Sequence, residues 1–357
     1  MERELKLMKG NEAMAEAAIR AGVDGYFGYP ITPQSEIMEY LMKTDSFSRS
    51  GMVTLQAESE IAAINMVYGG AGCGKKVMTS SSSPGISLKQ EGISYMAGAE
   101  LPCLIVNVAR GGPGLGTIQP AQADYFQSVK GGGHGDYHLM VLAPASVQEM
   151  ADFVELGFDL AFKYRNPVLV LSDGAIGQMM EKVYLNPQKP RSPETEPWAT
   201  VGKGSRAKSN IITSVDLDPD SQERFNLKLV EKYDLIKQHE VRFEEYLCTD
   251  ADYLFVAYGT SARICKKSVQ IARSIGIKAG LLRPITLFPF PSAKINELAG
   301  RVKGILSVEM SAGQMVEDVA LAVNGQKPVK HFGRMGGIVA TPEEVVEKLK
   351  IFFTEQN

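Results

Sequence analysis

The sequence predicts an α/β protein with two domains, each built on a mostly parallel sheet. Short apolar runs bounded by turn residues alternate with stretches of helical spacing, the pattern of buried parallel strands and their crossover helices. The alternation stops near residue 181, gives way to a segment rich in Pro, Lys, Glu and Ser, and returns at Tyr253. A length of 357 residues also suits roughly two domains.

The first helix is expected to open at Gly10-Asn11-Glu12, with Asn11 as N-cap and Gly22 as its stop. Gly25–Tyr29 reads as a short strand running into Pro30-Ile31-Thr32-Pro33, where two prolines enforce an extended turn. Further strands are expected at Met52–Gln56, Lys76–Thr79, Leu101–Val108, Leu139–Ala143 and Pro167–Leu171. Helices fit at Glu60–Tyr68, Ser87–Met96 and Val147–Phe162. The segment 182–250 is expected to be a linker, Pro-rich over Asn186–Pro193, with an exposed charged helix over Gln222–Leu247. Beyond it, strands are expected at Leu254–Tyr258, Lys278–Leu282, Gly304–Val308 and Val329–Phe332, and helices at Ser261–Ser274, Gln314–Val323 and Pro342–Ile351. The expected division is 1–181, 182–250 and 251–357, the last a smaller three-layer α/β domain.

Composition narrows the function classes. With 44% hydrophobic and 22% charged residues the chain is ordinarily globular, and a net charge of −3 gives no footing to nucleic acid or an anionic membrane. The start has charges but no apolar core, so no signal peptide is expected. No apolar run approaches the roughly 20 residues that cross a bilayer. Cys73, Cys103, Cys248 and Cys265 form no CxxC pair, which argues against a disulfide scaffold, a zinc knuckle or a self-contained iron–sulfur cluster. A reduced, cytoplasmic protein is expected.

Several motifs sit where α/β folds bind ligands, just after strands. Pro30-Ile31-Thr32-Pro33-Gln34-Ser35 either stiffens a turn, with Thr32 or Ser35 capping the next helix, or fixes the Thr32 hydroxyl for a ligand. Glu60 opens an apolar helix. It either complements the helix dipole or is a buried carboxylate in need of a partner. Gly69–Lys76 nearly spells a phosphate loop. However, Lys76 replaces the magnesium-binding hydroxyl, and the order is helix–loop–strand, so the glycines are expected to end a helix. Thr79-Ser80-Ser81-Ser82-Ser83-Pro84-Gly85 either caps a helix or offers hydroxyls and amides to a polar ligand. Arg110, ahead of Gly111-Gly112-Pro113-Gly114, is a surface arginine or a carboxylate clamp. His134, in a glycine-rich loop, is incidental or reaches the site. Ser172-Asp173-Gly174 begins like a magnesium–diphosphate motif, but lacks its first glycine and a downstream Asn, so Asp173 reads as structural.

The ordered set YPITP, QAESE, SSSPGISLKQEG, ELPCLIVNVARGGPGLG and VLAPASVQEM, followed by LLRPITLFPFP and VEMSAGQMVEDV, resembles the alpha-type chain of 2-oxoacid:ferredoxin oxidoreductases over nearly the whole length. The resemblance implies a thiamine-diphosphate pyrimidine-binding domain followed by a transketolase-C-terminal-like domain. It places Glu60 at the position that contacts N1′ of the cofactor's aminopyrimidine, and Thr32 and Arg110 at the substrate carboxylate. Pro30, Ile31, Ser82, Ser83 and Pro84 are the further cofactor-binding candidates. A carboxyl withdrawn from water holds its proton more readily, which suits proton exchange with the pyrimidine.

The family also implies oxidative decarboxylation of a 2-oxoacid to acyl-CoA and carbon dioxide, with coenzyme A as co-substrate and electrons passing to ferredoxin. Neither a diphosphate–magnesium motif nor cluster cysteines stand in this chain. The thiamine diphosphate would therefore be shared with a beta-type subunit. Mg2+ and [4Fe-4S] clusters would lie on partners, which include gamma-type and ferredoxin-like subunits. The stretch Gly111–Gly116 through Gly135 is closer to the branched-chain (2-oxoisovalerate) members than to the 2-oxoglutarate members. A non-catalytic structural subunit is the reading from another class, and it predicts the loss of Glu60, Thr32 or Arg110. Glu309 and the segment 182–250 receive no role.

Overall fold

The computed structural model describes residues 3–191 and 195–353. The last residues of the Pro-rich run, Ser192 and Pro193, lie outside the described residues. In chain order the first half holds β1 (Glu4–Lys9), α1 (Gly10–Arg20), β2 (Gly25–Gly28), α2 (Ser35–Lys43), α3 (Ser46–Ser50), β3 (Val53–Gln56), α4 (Glu60–Gly72), β4 (Val77–Ser81), α5 (Pro84–Gly98), β5 (Leu104–Ala109), α6 (Tyr125–Val129), β6 (Met140–Leu142), α7 (Val147–Tyr164), β7 (Val168–Asp173), α8 (Gly174–Gln178) and β8 (Met180–Leu185). After an irregular passage come α9 (Pro219–His239), β9 (Phe243–Tyr246), β10 (Tyr253–Val256), α10 (Gly259–Ser274), β11 (Ala279–Pro284), β12 (Thr286–Phe288), α11 (Ser292–Ala299), β13 (Gly304–Glu309), α12 (Met315–Val323), β14 (Val329–Gly333) and α13 (Pro342–Phe353).

The first sheet has seven strands in the order β12-β6-β7-β5-β4-β2-β3, all parallel except β12. From β2 the chain goes one way to β3, then crosses back to β4 on the other side of β2. That reversal opens a crevice at the strand ends where such folds bind ligands. The second sheet runs β14-β13-β10-β11-β9, parallel but for β9. Period-2 alternation sorts its faces: Leu254, Val256, Leu282 and Ile305 enter the core shared with the first sheet. Phe255, Leu281 and Leu306 pack instead with Cys265 and Val269 of α10 and Val345 and Leu349 of α13. β1 and β8 form a two-stranded antiparallel ribbon, with Met8, Val183 and Leu185 buried beneath it.

Several expectations are corrected. Asn11 does not cap α1, because β1 runs straight into the helix with Lys9 at the cap. Asn11 is buried and donates to the Pro33 carbonyl and to Glu36. Neither Thr32 nor Ser35 caps α2, whose N-cap is Gln34. Gly69 and Gly70 lie inside α4, whereas Gly72 is its last residue and Gly74, at φ +71°, turns the chain towards β4, so the later glycines of the run do end the helix. A side chain at Gly70 would stand 2.7 Å from Val77, so glycine there lets α4 lie directly on β4. The charged helix expected over Gln222–Leu247 runs from Pro219 to His239, and Phe243–Tyr246 is a strand paired with β11. One stripe of α9, Leu229, Tyr233 and Ile236, is buried in the shared core.

Candidate active site

Four loops meet at the crevice: those after β2, β3, β4 and β5. The loop after β3 ends at Ser59, whose hydroxyl accepts from the Ala62 N–H at 3.2 Å and so starts α4 at Glu60. Glu60 is only 7% exposed. Its carboxylate has no hydrogen-bond or ion-pair partner among the described residues. Its oxygens are not among the sealed unpaired polar atoms, so the side chain is enclosed while its carboxylate opens on the crevice.

Beside it, β4 ends at Ser81 and Ser82 follows, both fully buried, and neither hydroxyl has a partner among the described residues. Ser83 then turns the chain at φ +24°, a region a residue with a side chain rarely adopts. Its surroundings over-determine the turn: its N–H donates to Asn107 at 3.1 Å, its hydroxyl donates to Asp124 at 2.7 Å, and the Arg110 N–H donates to that hydroxyl at 3.0 Å. The serine cluster is therefore not a capping device, since no side chain caps α5. Burial pushes the Asp124 carboxyl up, against the lowering effect of its bonds to Ser83 and Asn107. Pro84 begins α5, and Gly85 follows. A methyl group on Gly85 would lie 2.1 Å from the Ser81 hydroxyl and 2.8 Å from a Glu60 carboxylate oxygen, so the first turn of α5 rests directly against both.

Arg110 is 8% exposed. One terminal nitrogen donates to the Thr32 carbonyl at 2.9 Å and the other to the Leu115 carbonyl at 3.0 Å, while its buried Nε has no partner. Thr32 and Arg110 are thus brought together, but through the Thr32 backbone; the Thr32 side chain is exposed, as is Pro30. Ile31 is half-buried.

His134 is not part of the crevice. It stacks edge-on against Tyr95, and its carbonyl accepts from Ser94. Those residues lie about 15 Å along α5 from Pro84 at 1.5 Å per residue. Asp173 caps α8 through the Ala175 and Ile176 N–H groups and accepts from Thr260 at 2.8 Å, so it is structural as read. Glu309, which had no role, takes the N–H groups of Gln314, Met315 and Val316 at 2.9 to 3.0 Å and anchors the start of α12. No group of three or more His, Cys, Asp and Glu residues suited to a metal occurs among the described residues.

Sequence reasoning missed Lys89 and Gln122. Lys89 is fully buried, donates to the Thr79 hydroxyl at 2.8 Å, and is pushed down to about 7 by burial while Glu60 pulls it up. Its spacing from Ile86, Ile93 and Met96 was the available signal, since that period puts it on the buried face of α5. Gln122 bridges the two sheets: it donates to the Tyr258 carbonyl and accepts from Ser261 and the Met310 N–H. No spacing rule reports such a contact.

The residues suit one polar aromatic ring. The unpartnered Glu60 carboxylate and the unpartnered Ser81 and Ser82 hydroxyls offer acceptors and donors at the depth of the crevice, as an aminopyrimidine requires. Exposed Leu55, Ile61, Leu88, Leu115, Ile118 and Ile338 lie on the surrounding elements.

Comparison with known proteins bears on the family and the fold. Residues 16–242 match the family described as pyruvate flavodoxin/ferredoxin oxidoreductase, thiamine diphosphate-binding, and residues 251–345 match pyruvate:ferredoxin oxidoreductase core domain II. The ketoisovalerate oxidoreductase subunit VorB of Methanothermobacter thermautotrophicus is 53% identical over 345 residues, 97% of each chain. A 2-oxoglutarate:ferredoxin oxidoreductase from Magnetococcus marinus, solved with 2-oxoglutarate, coenzyme A and succinyl-CoA, superposes with a TM-score of 0.85 at 26% identity. That match covers 98% of this chain and 65% of the other. A split-gene transketolase, an inactive beta4 tetramer, shares the fold at a TM-score of 0.57 and 15% identity, over 96% of this chain and 93% of that one.

Proposed function

This chain belongs to the 2-oxoacid:ferredoxin oxidoreductase family, and from that premise we propose that it is the pyrimidine-binding subunit of an enzyme that oxidatively decarboxylates a branched-chain 2-oxoacid. The overall change takes the 2-oxoacid and coenzyme A to acyl-CoA, carbon dioxide, a proton and two electrons, the electrons leaving for ferredoxin. The observation that carries the reading is Glu60, an almost enclosed residue with no hydrogen-bond partner among the described residues, at the crevice where β2 and β4 part.

Thiamine diphosphate, when bound, supplies the nucleophilic carbon and the electron sink. Glu60 contributes a carboxyl that exchanges a proton with N1′ of the aminopyrimidine. Ser81 and Ser82 add hydroxyls to the same ring, and the Ser83–Pro84 turn, fixed by Asn107 and Asp124, sets their height. Ile31 and Pro30 form the turn beside it. Arg110 orients the substrate carboxylate with the Thr32 hydroxyl. Each terminal nitrogen gives one N–H to the Thr32 or Leu115 carbonyl and keeps a second, so those second N–H groups, rather than the buried Nε, are the donors left for a carboxylate.

Asp173 is spent on α8 and Thr260, so the cofactor's diphosphate and Mg2+ belong on a beta-type partner. Gamma-type and ferredoxin-like subunits, with [4Fe-4S] clusters, complete the path in a cytoplasmic complex. The apolar side chains around the crevice are where the beta-type chain closes it. The similarity to the ketoisovalerate subunit, 53% against 37% for the 2-oxoglutarate synthase subunit KorA of Archaeoglobus fulgidus, supports the branched-chain substrate; 2-oxoglutarate is the second reading.

The test co-expresses the chain with its partner subunits without oxygen and follows coenzyme-A-dependent acceptor reduction. Preference for 2-oxoisovalerate is expected, with turnover in Glu60→Gln reduced by about 100-fold or more. Preference for 2-oxoglutarate overturns the substrate, and full activity in Glu60→Gln overturns the role of that residue.

A further inference from the structure

We propose that Gly337, in the turn after β14, is a positioning residue for the loop that closes on Arg110. Through Arg110 the contact reaches the substrate carboxylate, a consequence that rests on the reading of Arg110 given above.

The loop runs from Arg110 to Pro120 and folds back on itself. Arg110 and Pro120 stand opposite each other in an antiparallel bridge. The Gly111 N–H donates to the Gln119 carbonyl at 3.0 Å, and the Thr117 N–H donates to the Gly111 carbonyl at 2.8 Å. Leu115, near the tip, offers the carbonyl that takes an N–H of Arg110 at 3.0 Å. Residues 112–116 of the tip are exposed. The place of the Leu115 carbonyl is therefore set from the base of the loop.

That base rests on the second half of the chain. A methyl group on Gly111 would lie 3.1 Å from the Gly336 carbonyl carbon and 3.2 Å from the Gly337 nitrogen. A methyl group on Gly337 would overlap the Gln119 Cβ and stand 3.2 Å from the Thr117 Cγ2. The two main chains thus meet with no side chain between them, the approach that glycine permits. Three residues after Gln119 the chain is pinned again: the Gln122 N–H donates to the Met310 carbonyl at 2.9 Å, and its side chain joins Tyr258 and Ser261.

The turn that carries Gly337 is held at both ends. Gly333 pairs with Glu309 where β14 stops, and Arg334 donates to Glu344 of α13 at 2.6 Å. The Thr341 hydroxyl accepts from the Glu344 N–H at 3.2 Å. Of the two sides of the contact, the loop with its exposed tip is the one that yields.

The neighbouring glycine supplies the control. Gly336 and Gly337 take φ +64° and +93°, so alanine is strained at either. A methyl group on Gly336 meets open space, whereas one on Gly337 meets the loop.

The experiment uses the complex co-expressed with its partner subunits without oxygen, and reads hydrogen exchange at the Gly111 and Thr117 amides. In Gly337→Ala exchange there is expected to quicken about 10-fold, and in Gly336→Ala to keep the wild-type rate. Gln119→Gly removes the Cβ that the new methyl group overlaps. The double variant Gly337→Ala with Gln119→Gly is therefore expected to return to the rate of Gln119→Gly alone. Equal exchange in the two alanine variants, or no recovery in the double variant, overturns the proposal. A second arm measures kinetics. In Gly337→Ala the KM for the preferred 2-oxoacid is expected to rise about 10-fold with that for coenzyme A unchanged, whereas a loss of folded enzyme would lower kcat and leave both. Quickened exchange with an unchanged 2-oxoacid KM sinks the reading of Arg110 and leaves the hold of Gly337 on the loop standing.

Discussion

At the scale of single residues, the crevice combines costs that a purely structural domain would avoid. Glu60 is almost enclosed with no hydrogen-bond partner among the described residues, the Ser81 and Ser82 hydroxyls are buried and unpaired, and Ser83 sits at a positive φ. Lys89 adds a cost that can be measured. Its folded value of about 7 lies below the ordinary 10.5. The unfolded chain takes up the proton first as pH falls, so the native state loses stability between 10.5 and about 7 and bears the whole penalty below that. Lys89→Met is therefore expected to raise the melting temperature more at ~pH 6 than at ~pH 9. A gain independent of pH would mean that the ammonium costs the fold nothing. Glu60, Thr32 and Arg110 were singled out together by the family resemblance, each on a motif that follows a strand. Lys89 was not, because the Thr79 hydroxyl on which it is seated lies on another element.

At the scale of elements, α5 is the hinge between fold and site. Its first turn presses on Ser81 and Glu60, and Gly85 is what allows that approach. Gly85→Ala is expected to destabilise the chain by about 1–3 kcal/mol and to weaken thiamine diphosphate binding in the complex, checked by thermal unfolding and calorimetry. Unchanged cofactor affinity would show that the first turn of α5 can shift at no cost to the site. The parallel strands were legible because each buries both faces and reads as one apolar run. The ribbon of β1 and β8 was not: half of each strand is in water, and the pairing joins residues as far apart as Glu4 and Leu185. β9 was hidden in the same way, since Phe243-Glu244-Glu245-Tyr246 continues the charged composition of α9 while pairing across to β11.

At the scale of the whole molecule, the two sheets are not separable bodies. β12 leaves the second half of the chain and pairs antiparallel with β6, Thr286 opposite Leu142, and Phe288 stacks on His138 at 4.3 Å. Arg283 forks onto Glu149, and Tyr125 donates to Asp318. A chain ended after residue 250 is expected to be insoluble on its own, since it uncovers the edge of β6 and the shared core. Supplying residues 251–357 as a second polypeptide should restore soluble yield. A soluble, natively folded 1–250 fragment would show that the edge strand is dispensable. The same pairing governs how the protein is made. When Leu142 has left the ribosome, 144 residues (286 − 142) must still be added before Thr286 emerges, or roughly 7–29 s at ~5–20 residues per second. Throughout that interval the nascent sheet carries an open flank of unpaired amides and carbonyls. A cell producing this chain must shield that flank during synthesis, and slowing translation ahead of Thr286 would lengthen the exposure.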